Sequence, residues 1–171
     1  MKDIMQRIQI ANRLDLVTQQ IGFVLWQIQD LEGVSAQYFV LVAKATRGMG
    51  ETAGNALFDK AKKNTFGTTI RHISEHGLLS SDLERRFTHL LSERNWLVHR
   101  SRADSRDAVH SDVSMQKLLM RIDTMANETI SLLKEIGSLS SNFVKEYGVT
   151  EEYINKKAEE LLKQWHSSEK I

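Results

Sequence analysis

Three side chains near the middle of the chain invite a chemical reading. Arg94, Asn95 and His99 lie within six residues of one another, and Arg100 and Arg102 follow at once. A guanidinium carries a permanent charge in a planar fork that matches phosphate or carboxylate. An imidazole exchanges its proton near neutral pH. Fixed positive charge beside a titratable ring is the material of a site for an anionic ligand.

The helix that carries these residues gives Arg94 an unusual position. Ser81-Asp82-Leu83-Glu84 has the pattern of a capping box and predicts a helix from there to about Arg100. At about 100° per residue, Leu83, Phe87, Leu90, Leu91, Leu97 and Val98 form one apolar arc, with Arg94 at its centre. A charge on a buried face must meet an anion, because leaving it unpaired costs several kcal/mol. Two solutions stay open: a carboxylate of the same chain, or an anionic ligand such as phosphate. Asn95 and His99 are one turn apart and share a face. Arg94 and His99 are five residues apart, about 140° around the helix, so one helix does not aim both at one point. That spacing favours a composite site to which a second copy of the helix contributes.

The rest of the sequence also reads as helix. Ile4, Ile8, Leu14, Val17, Ile21, Val24, Leu25 and Ile28 recur at three- and four-residue steps and predict a first helix over 2–31, broken at Glu32-Gly33. A further helix is expected over 36–46, despite its strand-like Tyr-Phe-Val-Leu-Val content. Shorter helices are expected over 55–63 and 68–76, the latter stopped by Gly77. Residues 101–110 read as a polar loop. Ser111 or Asp112 opens a long helix to about Glu146, Gly148 ends it, and Thr150-Glu151-Glu152 caps a last helix to about His166. The expected fold is all-α: a single antiparallel helical bundle over 1–171, with a long N-terminal helix and a C-terminal helix.

Composition agrees. The 171 residues include no proline, no cysteine and nine glycines. Disulfides, Cys-ligated zinc and a cysteine nucleophile are excluded, and a turn-rich β-sandwich is disfavoured. No apolar run is long enough to span a membrane, and no export signal opens the chain, so a cytoplasmic protein is expected. The net charge of +1 is uneven: −1 over 1–43, +5 over 44–122 and −3 over 123–171. The basic middle, which holds Arg94 to Arg102, suits a polyanion.

Other patterns carry less. Gly48-Met49-Gly50 with Ala53 matches a dinucleotide fingerprint in letters, but a helix rather than a strand precedes it. His72 and His76 have the spacing of a metal-ligand pair, yet the end of a helix is also where the dipole favours a histidine. Asn127-Glu128-Thr129 is a sequon of no consequence in a cytoplasmic chain. Trp26 and Trp165 are expected to pack, and the C-terminal Glu and Lys alternation reads as a solvated face.

The stretch Glu93-Arg94-Asn95-Trp96-Leu97-Val98-His99-Arg100 resembles the signature of HEPN domains, an arginine followed by a polar residue, apolar residues and a histidine. The long first helix and the Ile70-Arg71…His76-Gly77-Leu78-Leu79 turn before the capped helix are similar to prokaryotic members, and the resemblance covers about residues 5–145. It implies a metal-independent endoribonuclease of toxin or antiviral type, with no cofactor. It also implies a homodimer whose two motif helices form one cleft. His99 would be general base or acid. Arg94 would stabilise charge on the phosphoryl oxygens. Asn95 would orient His99 or bond the phosphate, and Arg100 and Arg102 would hold the RNA backbone. An antitoxin protein is a further implied partner. Some members carry a modifiable tyrosine two residues after the histidine; here that position is Ser101, which excludes that regulation. The alternative is a catalytically silent helical module that binds a protein or nucleotide, with Arg94 tied to a carboxylate of its own chain.

Overall fold

The computed structural model describes residues 2–168, with the side chains of residues 3–167, and shows helices and no strand among them. Helix α1 spans Lys2–Phe39 and passes directly into one π-helical stretch, Val40–Lys44. The expected break at Glu32-Gly33 does not occur. A glycine inside a helix costs about 1 kcal/mol. Leu31, Ser35, Tyr38 and Phe39 are buried on one side and Ala36 is buried in a second small cluster with Val40 and Ala61, and that burial outweighs the local preference. Of the strand-like 36–46 segment, residues 36–44 are thereby the end of α1 and its π extension, and Ala45 is already extended. Val17, Val24 and Ile28 reach the core as expected, but Ile4, Ile8 and Leu14 stay exposed.

Helices α2 (Glu51–Ala61), α3 (Phe66–Glu75) and α4 (Ser81–His99) follow. The Gly48–Gly50 stretch is a turn after a helix, with both glycines at positive φ. Gly77, at φ 63°, closes the end of α3. The N-cap of α4 is Ser80 rather than Ser81: its Oγ accepts from the Leu83 N–H at 3.3 Å. Glu84 accepts instead from the Ser74 hydroxyl, so the side chain expected to complete a capping box ties α4 to α3. The Phe66 and Phe87 rings meet edge to face at 6.0 Å in the core between these two helices.

Residues 101–110 are not simply loop, since α5 (Ser101–Asp104) forms one short turn. Ser111 caps α6 (Asp112–Glu146) as expected. Helices α1 and α6 form the principal contact of the fold. Arg13 bonds Val109 and Asp112 at the start of α6, and the π stretch some 40 Å further along α1 also touches α6. The two longest helices therefore run in the same direction. The antiparallel arrangement belongs to α4 and α6: Arg86 meets Glu128 at 2.7 Å, and Glu93 meets Arg121 at 2.7 Å.

Helix α7 (Glu151–Ser168) begins after Gly148, and its Tyr153 N–H is capped by the Thr150 hydroxyl. None of its described side chains is buried. The expected packing of Trp26 and Trp165 is overturned: they are 74% and 68% exposed. Trp26 lies on the side of α1 opposite Val24 and Ile28, away from the core. Trp165 lies on a helix with no core to enter. No helix among the described residues is long and apolar enough to cross a membrane.

Candidate active site at the C-terminal end of α4

Helix α4 presents its motif through a buried face that winds along the helix. Leu83, Phe87, Leu90 and Leu97 are buried, whereas Val98 is 48% exposed. The buried direction turns between Phe87 and Leu97, because helices that cross at an angle present successive turns of different faces. Arg94 is consequently not at the centre of a buried face. It lies at the margin, with its side chain 36% exposed.

The Arg94 guanidinium meets two partners. Nη2 is 3.7 Å from Oε1 of Glu32 on α1, and Nη1 donates to Oδ1 of Asn95 at 3.4 Å. Burial pushes the Glu32 carboxyl above its usual range, against the opposing pull of the Arg94 charge. A pair this open and this long is worth about 0.2–1 kcal/mol.

Asn95 and His99 are both exposed, and together with Arg100 they line one cavity of about 430 Å³. Ser92, Trp96 and Arg121 complete its walls. Arg100 sits 3.6 Å from Asp104 across the short α5 turn. Of the five sequence-predicted residues, the structure thus gathers Asn95, His99 and Arg100. Arg94 touches the group through Asn95 but faces Glu32, and exposed Arg102 lies outside the cavity. Ser101 turns inward, and its hydroxyl donates to the Leu97 carbonyl at 2.6 Å.

Two wall residues were not singled out in the sequence. The Arg121 guanidinium lies flat on the Trp96 indole, 3.4 Å from the ring centroid. Glu93 holds Nε and Nη2 of the same guanidinium at 2.7 and 2.8 Å, and these bonds draw the Glu93 carboxyl below its usual range. The Trp96 Nε1–H donates to Asp104 at 3.0 Å. Trp96 was legible only as one of three apolar motif residues. Arg121 gave no signal, because its partners lie on α4, more than twenty residues away in sequence.

His72 and His76 belong elsewhere. Both rings pack against Phe39, and a His76 ring nitrogen lies 2.7 Å from the His72 carbonyl. No group of three or more His, Asp or Glu side chains that could hold a metal ion is found among the described residues. Comparison with known proteins gives no match to any family model, curated protein or solved structure.

Proposed function

We propose that the chain is a metal-independent endoribonuclease that acts as a homodimer, with the C-terminal end of α4 as its active site. The observation that carries this reading is the shared cavity of Asn95, His99 and Arg100, with Arg94 bonded to Asn95 at its edge. His99 takes the proton of a ribose 2′-OH, and the 2′-oxygen attacks the adjacent phosphorus. The bond to the 5′-oxygen breaks, and that oxygen leaves with a proton supplied by His99 of the partner subunit. The products are a 2′,3′-cyclic phosphate and a 5′-hydroxyl. Arg94 leaves its weak pair with Glu32 to stabilise the charge on the phosphoryl oxygens. Asn95 orients the phosphate or the ring, and Arg100 and Arg102 hold the RNA backbone. A role as a toxin or defence effector, with or without an antitoxin, fits such an activity.

The test is incubation of purified protein with RNA in EDTA, beside a His99→Ala variant. Cleavage by the parent with loss of about 10²-fold or more in the variant is expected. Equal cleavage by both, or none by either across varied RNAs, rejects the reading. One observation favours a second reading, a silent binding module: Arg94 does find a carboxylate of its own chain in Glu32. On that reading the parent cleaves no RNA, and Glu32→Gln changes stability alone.

A further inference from the structure

The cavity beside His99 has a wall that the proposed chemistry leaves unused. Trp96 and Arg121 stack at 3.4 Å, which covers one face of the guanidinium, and Glu93 occupies one of its edges. Arg121 remains 41% exposed on its side chain and still lines the cavity. What it has left to offer is its opposite face and the Nη1 side of its edge. Two contacts hold the plane, the indole on one face and the Glu93 carboxylate on one edge, and Asp104 in turn anchors the indole through Trp96 Nε1. It is thus a rigid, flat, cationic surface fixed before any ligand arrives.

A nucleobase is the ligand that fits such a surface. Guanidinium planes and aromatic rings stack on bases, and only an unpaired base exposes its face to them. A phosphate binds through the edges of a guanidinium, and Glu93 takes the Nε–Nη2 edge, which leaves a phosphate only the Nη1 side but leaves a base the whole open face. A duplex buries its base faces between neighbouring pairs. We propose that this cavity is a nucleotide subsite for single-stranded RNA, in which one unpaired base stacks on the free face of Arg121 while its phosphate lies toward His99 and Arg100. The inference rests on the ribonuclease reading for its ligand class, and it adds a selection of single strands and a specificity-determining residue.

The experiment measures binding rather than cleavage. The full-length His99→Ala protein is titrated at fixed salt with a labelled single-stranded oligoribonucleotide, the same strand as a duplex, and an abasic oligonucleotide of equal length. Binding of the single strand about tenfold or more tighter than either competitor is expected. Adding Arg121→Lys keeps the charge and removes the plane, and it is expected to erase most of that preference. Its fold is checked by circular dichroism, and the abasic comparison needs no change at Arg121. Equal binding of abasic and base-bearing strands, or of single strand and duplex, overturns the inference, as does no binding of RNA at all. Selective binding without cleavage by the parent leaves the subsite standing and rejects the ribonuclease. Cleavage without selective binding does the reverse.

Discussion

Arg94 is held by two opposing demands. It must be near an anion to sit at the edge of the core, and Glu32 supplies one at 3.7 Å. The same burial works against Glu32, whose carboxyl is pushed up because desolvation outweighs the attraction of Arg94. A carboxyl with a raised folded pKa contributes stability below its unfolded value near 4.5, and loses it as pH rises through the folded value. Glu32→Gln is therefore expected to raise the melting temperature at neutral pH, with the advantage fading toward pH 4 in a thermal melt series. A melting temperature lowered equally at all pH values would refute that account. If Arg94 serves a phosphate, the same variant keeps or increases RNA cleavage.

At the scale of elements, α4 is positioned by charge as well as by its leucines. Arg86 pairs with Glu128, and Glu93 with Arg121, so two turns of α4 are clamped to α6. Glu93 has the opposite sign of pH behaviour to Glu32. Its carboxyl is drawn down, so its contribution is present above about pH 4.5 and is lost as pH falls through the lower folded value. Glu93→Gln is expected to melt several degrees below the parent at pH 7 and to converge with it in acid. Helix α7 contributes little to this framework, since none of its described side chains is buried and its ties, such as Lys145 to Glu151, are exposed. A chain that ends at Val149 should melt within a degree or two of the full chain. A loss of many degrees would show that α7 packs more closely than its exposure indicates.

For the whole molecule, the decisive question is whether two motif helices meet. His99 and Asn95 are exposed, and one α4 does not bring Arg94 and His99 to one point. The composite-site reading predicts a particle of twice 19.6 kDa by light scattering at concentrations where RNA is cleaved. A monomer that cleaves RNA would reject the composite site. Apolar surface outside the core is ample: Ile8, Phe23 and Trp26 lie on the outer side of α1, at 49%, 57% and 74% exposure.

Much of this was readable along the chain. The three-and-four spacing of Val17, Val24 and Ile28, the glycine stop at Gly77 and the serine cap of α6 depend on local geometry and on burial of one stripe, and these are written in neighbouring residues. The all-α class and the motif at the end of α4 were determined in the same way. What needed the tertiary structure were the contacts between distant segments. Leu31 and Ser35 carry α1 through Gly33 only because the packed core buries them. Glu32 reaches Arg94, and Arg121 lies on Trp96, only because three helices cross at one place. Spacing within a helix says which face a side chain shares. It cannot say which face the packing will bury, and that choice set Arg94 at the margin rather than the centre.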